Sequence, residues 1–249
     1  MSHYLFDRAS FYYESCSSTN DIAKEYAANK RIAEGTVFIA DYQYQGRGQR
    51  GNGWSSNAAQ NILCSFVLYP EFLAIKRSFS LNIIISLAIY EVLACHFTEG
   101  ISIKWPNDIY YLSKKLGGIL IETSAGNADK INTAVVGIGL NINQLNFESP
   151  NATSLALIKQ ATFNRLAILN HILGRVSHYY VQLHNGIVDL LWESYFDKLY
   201  RKDGFHFFKT TTGYIEGRIL AVNRLGQLVL EMRNGNTWSY NTKEIAFVV

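Results

Sequence analysis

Residues 101–123, ISIKWPNDIYYLSKKLGGILIET, hold three apolar runs broken by two polar turns, Pro106-Asn107-Asp108 and Ser113-Lys114-Lys115. The runs at 101–105, 109–112 and 116–123 read as neighbouring hairpin strands. A further strand is expected at 131–142, after the turn-rich 125–129. Upstream, 36–42 and 61–69 read as strands, and 78–96 as a helix apolar on most faces and therefore buried. Ser17-Ser18-Thr19-Asn20-Asp21 is rich in N-cap residues, and Ile22, Ala23, Tyr26 and Ala27 follow at helical spacing, predicting a short capped helix. Residues 163–184 and 187–200 carry helical periodicity. Strands and helices do not alternate regularly, which disfavours a doubly wound parallel sheet and gives an α+β class. From about residue 203 short β segments follow one another with turns at Thr212-Gly213, 223–226 and 234–236, so a small β barrel or sandwich is expected there. Two domains follow, 1–203 and 204–249.

The chain has 249 residues, 48% apolar and 17% charged, enough to bury a real core and too apolar for bulk disorder. Its net charge of +3 is too weak by itself to imply nucleic-acid binding. Three widely spaced cysteines, Cys16, Cys64 and Cys95, make neither a disulfide framework nor a zinc site, and fit a reducing cytosol. The six histidines show no metal-ligand spacing, so no metal site is expected from side chains alone. The most apolar stretch, 81–97, is interrupted by Asn82, Ser86, Glu91 and His96, and the N-terminus lacks the pattern of a signal peptide. A cytoplasmic protein without membrane partners is expected.

Four segments carry chemistry. Gly46-Arg47-Gly48-Gln49-Arg50-Gly51-Asn52-Gly53-Trp54 combines glycines that expose backbone N–H groups, arginines that clamp carboxylate or phosphate, and a stacking indole. A flexible hairpin with solvated arginines has the same pattern, and neither the P-loop nor the dinucleotide fingerprint is present. Lys104-Trp105-Pro106-Asn107-Asp108 places a lysine at the end of an apolar strand, where it is poorly solvated and suited to developing negative charge. A surface lysine before a common turn is the plainer alternative. Lys115-Leu116-Gly117-Gly118 opens a strand with paired glycines, and Gly137 and Gly139 clear one face of another; both fit a ligand on the sheet or close packing of elements.

Each segment is weak alone, but their order is specific. Ser-Thr-Asn, then Gly-Arg-Gly-x-x-Gly with Trp, Lys-Trp-Pro-Asn-Asp, Lys-Leu-Gly-Gly-Ile and Gly-x-Gly-x-Asn together resemble biotin–protein ligase, also called biotin–[acetyl-CoA-carboxylase] ligase, over roughly 11–249. The resemblance implies a mixed sheet flanked by helices, similar to class II synthetases, and a C-terminal SH3-like barrel. It also implies a two-step reaction: ATP, carried with Mg2+, activates biotin to biotinyl-5′-AMP, and a lysine of a biotin carboxyl carrier domain then takes the biotinyl group. By the same resemblance Ser18, Thr19, Asn20 and Gln43 would hold biotin, and Gly46, Arg47, Gly48 and Gln49 would fold over it. Lys104, with Arg47 and Lys115, would be catalytic; Gly118, Gly137 and Gly139 would admit biotin to the backbone. Arg50, Trp54, Asn107, Lys115 and Asn141 would face the nucleotide.

Physical logic agrees: a carboxylate brought to a triphosphate needs Arg47, Lys104 and Lys115 to offset the repulsion, and a ureido ring needs hydroxyls and an amide. Two positions depart from the family loop, Gln49 and Asn52 standing where arginines are usual. Only 17 residues precede Ser18, too few for the helix-turn-helix some members carry, so no DNA partner is expected. A homodimer through a sheet edge is the preferred assembly, although some members are monomers. The competing readings are a lipoate–protein ligase or octanoyl transferase of the same superfamily, a non-catalytic biotin sensor, and a nucleic-acid-binding β tail.

Overall fold

The computed structural model describes residues 5–6, 9–29 and 32–248, with the backbone but not the side chain of Arg50. Seven strands, β1 (Ser10–Cys16), β2 (Val37–Gln43), β3 (Ile62–Leu68), β4 (Ile101–Lys104), β5 (Asp108–Tyr111), β6 (Lys114–Ala125) and β7 (Ile131–Leu140), form one sheet in the order β1-β2-β3-β7-β6-β5-β4. Only β1 and β2 run parallel; every other pair is antiparallel, so the sheet is mixed.

The sheet's two faces bury different things. On one side Ile62, Cys64, Phe66 and Leu68 of β3 and Ala134, Val136, Ile138 and Leu140 of β7 enter the main core with helix α2 (Phe79–Ala94). Helix α4 (Arg165–His184) packs over α2, with α5 (Asp189–Asp197) beside it, so α2 is enclosed and its lack of a polar face is explained. The stretch Ile75–Ala94 is long and apolar enough to cross a membrane, but 61% of its most apolar window is buried inside this fold. On the other side α1 (Thr19–Ala28) lies across β3 and β7 and closes a smaller core of Ala23, Ala27, Phe38, Val67 and Val135.

Five antiparallel strands complete the chain: β8 (His206–Thr210), β9 (Gly213–Val222), β10 (Leu228–Met232), β11 (Thr237–Tyr240) and β12 (Ile245–Phe247), in the order β11-β10-β9-β8-β12. This sheet is keyed to the larger one. Phe208, Ile219, Val222, Leu228, Leu230 and Ile245 belong to the main core. The Trp105 indole donates to Gly226 O at 2.9 Å, and the Trp192 indole to Val222 O at 2.9 Å. Gly226 sits at φ +81°, and a Cβ there would strike the Phe79 ring.

The expected elements are present with ends shifted by a few residues. Two were not anticipated. Strand β1 alternates Phe11 and Tyr13 toward α1 with exposed Tyr12 and Glu14, a pattern interrupted too early to stand out from the N-terminal text. Helix α3 (Leu155–Lys159) is only five residues long; the Ser154 hydroxyl caps it by accepting from Leu157 N–H at 3.1 Å, and left-handed Gln160 ends it. The Ser18 N-cap of α1 makes no side-chain capping bond, contrary to the expected capped helix.

Truncation of the enclosed helix tests this packing. Ile84→Ala is expected to lower the unfolding free energy by about 2–5 kcal/mol in urea titration, whereas Leu220→Ala on the exposed face of β9 costs about 1 kcal/mol or less.

Candidate active site

Period-two alternation places Leu63, Ser65 and Val67 of β3, Val135, Gly137 and Gly139 of β7, and Gly118, Leu120 and Glu122 of β6 on the sheet face shared with α1. Gly118 pairs with Gly139, and Gly137 sits between Ser65 and Leu120, so three glycines clear part of this face. The hollow it leaves encloses about 270 Å³. Its walls come from the start of α1, the loop after β2, the 104–108 turn, β6, β7 and the last strand, β12.

The clearance is filled by side chains from other elements. A Cβ on Gly137 would collide with Asn20 Oδ1, and one on Gly139 would lie 2.7 Å from the Trp54 indole. Thr19, Asn20, Gln43 and Ser65 form one polar line. Gln43 Oε1 accepts from Thr19 N–H at 2.7 Å and lies 3.0 Å from its hydroxyl; the Thr19 and Ser65 hydroxyls are 2.7 Å apart; Ser65 donates to Asn20 Oδ1 at 2.6 Å. Asn20 Nδ2 then donates to Glu122 at 3.0 Å.

Two groups of charges differ in kind. Beside Asn20, Asp21, Lys24, Arg47 and Glu122 are mutually paired: Lys24 reaches Asp21 and Glu122, each at 3.0 Å, and Arg47 bridges the same two carboxylates, at 3.0 Å to Glu122. Burial opposes ionisation of Glu122 and Asp21, yet bonds from Asn20, Lys24 and Arg47 to Glu122, and from Lys24 and Arg47 to Asp21, hold both carboxyls below their ordinary values. At the opposite end Lys104 makes no ion pair among the described residues. Its ammonium donates to the neutral Tyr110 hydroxyl at 2.9 Å and lies 5.4 Å from the Phe247 ring centre. Burial, then the neighbouring Lys115 and Arg201 charges, pull its pKa down against the attraction of Asp108. Lys115 pairs with Asp108 at 2.6 Å.

Ser18, Thr19, Asn20, Gln43, Arg47, Gly48, Gln49, Trp54, Lys104, Asn107, Lys115, Gly118, Gly137 and Gly139 all line the hollow. Three expected residues do not join them. Gly46 lines a neighbouring groove formed by 42–46 and 53–58, and its carbonyl accepts from Trp54 N–H at 2.9 Å. Asn141 is buried elsewhere, its amide donating to Thr153 O at 3.0 Å, a structural tie between the end of β7 and the 153 segment. The Arg50 side chain lies outside the described residues. Arg47 is not a free cation facing the hollow, because Asp21 and Glu122 already hold it, and the Asn107 amide is committed to Ile119 O. Sequence reasoning missed Phe247, which lines the hollow, and Ser65, Asp21, Glu122 and Tyr110, which bond to residues that line it. Ser65 is a lone hydroxyl in an apolar strand, and Glu122 shares the parity of Gly118; both were readable signals.

Chemically, the hollow offers hydrogen-bonding groups for a compact polar ring at one end and two lysines for an anion at the other. The chain belongs to the biotin/lipoate A/B protein ligase family, whose model matches residues 12–141. Among its relatives, the bifunctional ligase/repressor BirA of Bacillus spizizenii is 31% identical over 233 residues, 90% of this chain and 70% of that protein. The biotin–[acetyl-CoA-carboxylase] ligase of Mycobacterium tuberculosis is 30% identical over 172 residues, covering 68% of this chain and 62% of that one. The solved biotin protein ligase of Aquifex aeolicus, in complex with biotin and ATP, superposes with a TM-score of 0.80 at 25% identity, over 96% of this chain and 98% of that one.

The carboxylate cluster makes a pH-dependent contribution. A carboxyl held below its unfolded value adds stability that is complete above that value, near 4.5 for Glu122, and is lost as pH falls through the lower folded one. The stability gap between the wild-type chain and Glu122→Gln is therefore expected to be larger at about pH 7 than at about pH 3 in urea unfolding.

Proposed function

We propose that the chain is a biotin–protein ligase that makes biotinyl-5′-AMP from biotin and ATP and passes the biotinyl group to a lysine of a biotin carboxyl carrier domain. The observation that carries this reading is one hollow with a hydroxyl–amide line at one end and, at the other, a half-buried lysine with no ion pair among the described residues. A ureido ring suits the first end and a carboxylate meeting a phosphate suits the second.

In the first step a biotin carboxylate oxygen forms a bond to the α-phosphorus of ATP and the bond to pyrophosphate breaks. Two anions must approach, and Lys104 and Lys115, which both line the hollow, would offset that repulsion. Lys104 is under-solvated and makes no ion pair among the described residues, so an arriving anion would restore what burial removed. In the second step the carrier lysine, as its neutral amine, attacks the biotinyl carbonyl; the C–N bond forms, AMP leaves and the amine loses a proton. Mg2+ enters on the triphosphate as part of the substrate. Among the described residues no group of three His, Cys, Asp or Glu side chains gathers around an ion position, and Asp108 is the carboxylate that lines the hollow beside Lys115.

The Trp54 indole lies over Gly139, with its N–H buried and unpartnered, which supports a place for it against the bound adenylate. Ile245, Ala246 and Phe247 line the hollow at the Lys104 end, and we assign residues 204–249 the role of a wall at the nucleotide end rather than a separate binding module.

Pyrophosphate–ATP exchange by the purified chain with Mg2+ tests the activity: exchange is expected with biotin and not with lipoate or octanoate. Exchange with lipoate would move the chain to the other branch of its family, and biotin binding without exchange would make it a sensor. Lys104→Ala is expected to slow biotinyl-AMP formation by about 100-fold or more in single turnover, while the biotin Kd changes by less than about threefold. Equal losses in rate and affinity would refute the role given to Lys104.

A further inference from the structure

Glu122 receives more of the site's hydrogen bonds than any single role so far given to it requires. One carboxylate oxygen takes Asn20 Nδ2, the other takes Lys24, and Arg47 reaches both. An ionised carboxylate only accepts. The Asn20 amide must therefore turn its NH2 toward Glu122 and its oxygen toward Ser65, which is the observed arrangement. With Asn20 Oδ1 as acceptor, the single Ser65 proton is spent on it at 2.6 Å. The 2.7 Å contact between the Ser65 and Thr19 hydroxyls then has to use the Thr19 proton. Gln43 Oε1, also within 3.0 Å of that hydroxyl, remains satisfied by Thr19 N–H. A single direction runs along the line, Thr19 to Ser65 to Asn20, whose NH2 ends on Glu122 at 3.0 Å and, more loosely, on Leu120 O at 3.5 Å; the shorter, charged acceptor does most to set it.

We propose that Glu122 is a positioning residue that fixes the hydrogen-bond polarity of this wall, so that Asn20 and Thr19 offer acceptor lone pairs to the N–H groups of a cyclic urea. The proposal rests on the biotin reading above and deepens it, because it names what selects the ring. Asn20 Oδ1 keeps one lone pair beyond the bond from Ser65, and the Thr19 hydroxyl, having given its proton away, presents only lone pairs. Biotin's ureido nitrogens are donors; the dithiolane of lipoate and the chain of octanoate have none to give. Gly137 is part of the device, since a side chain there would occupy the position of Asn20 Oδ1. Lys24 and Arg47 keep Glu122 ionised beside a partly enclosed site, which keeps the terminus acceptor-only.

Glu122→Gln removes the acceptor-only terminus, since a glutamine amide satisfies either orientation of Asn20, and leaves the 3.5 Å bond to Leu120 O as the remaining hold on it. The test is biotin binding by titration calorimetry, with pyrophosphate–ATP exchange alongside. The biotin Kd and KM are expected to rise about tenfold, the scale of one lost bond in an enclosed polar site, with kcat falling less than about threefold. In an Asn20→Ala background the same substitution is expected to change the Kd by less than about twofold, because the two residues act as one unit. Ser65→Ala cuts the line within β3 without touching the charge cluster and is expected to raise the Kd as well, which keeps the proposal testable should Glu122→Gln fail to fold. Unchanged biotin affinity in both single variants overturns the proposal. So does a Glu122→Gln loss of full size in the Asn20→Ala background, which would place the effect on Arg47 alone. A wild-type chain that neither binds biotin nor exchanges overturns the functional reading itself, and this inference with it.

Discussion

The site depends on one packing constraint: the central strand β7 must fill the core on one face and, with Gly118 of β6 beside Gly139, stay bare over a short stretch of the other. Alternation meets both demands. Val136, Ile138 and Leu140 lock β7 into the main core, while Gly137 and Gly139 between them add nothing above the sheet. Bare backbone cannot be left to collapse, and here Asn20 and Trp54 lean over the vacant positions from α1 and the loop. The floor thus decides which residues from distant parts of the chain meet.

Charge is divided between the two ends according to use. Four side chains near Asn20 neutralise one another and act as a fastening between α1, β6 and the glycine-rich loop. Exposed pairs of this kind contribute little to stability individually, and their value here lies in geometry. Lys104, by contrast, is held by a hydroxyl and aromatic rings. Burying a cation without a counter-charge costs free energy in the empty protein. Lys104, which makes no ion pair among the described residues and has only the nearby Asp108 charge to attract it, carries part of that cost.

Much of this was legible from residue order. The hairpin run 101–123, the buried helix and the β tail all follow from periodicity and turn chemistry, because those signals are local. The paired glycines also announced themselves. What sequence could not supply was the partner of each polar group. Arg47 reads as a phosphate clamp until Asp21 and Glu122, 26 and 75 residues away, are found on it. Asn141 sits in a site-like motif and turns its amide to Thr153 instead. Tyr110 looks like an ordinary strand aromatic, and only the fold brings its hydroxyl to Lys104. Such pairings depend on sheet register and on how loops return, which no window of sequence contains.

The join between the two sheets carries a consequence for how such a chain can change over generations. The small sheet meets the large one through matched pieces: a carbonyl at Gly226 aimed at the Trp105 indole, a missing side chain at Gly226 over Phe79, and a carbonyl at Val222 for Trp192. Trp105 lies beside Lys104, so the fit is made at the turn that follows β4 and lines the hollow. A unit joined in this way is not a cassette. Shuffling in a tail from a relative would import a turn shaped for someone else's tryptophan, and drift in either half is answerable to the other, so the two sheets are bound to diverge as a pair.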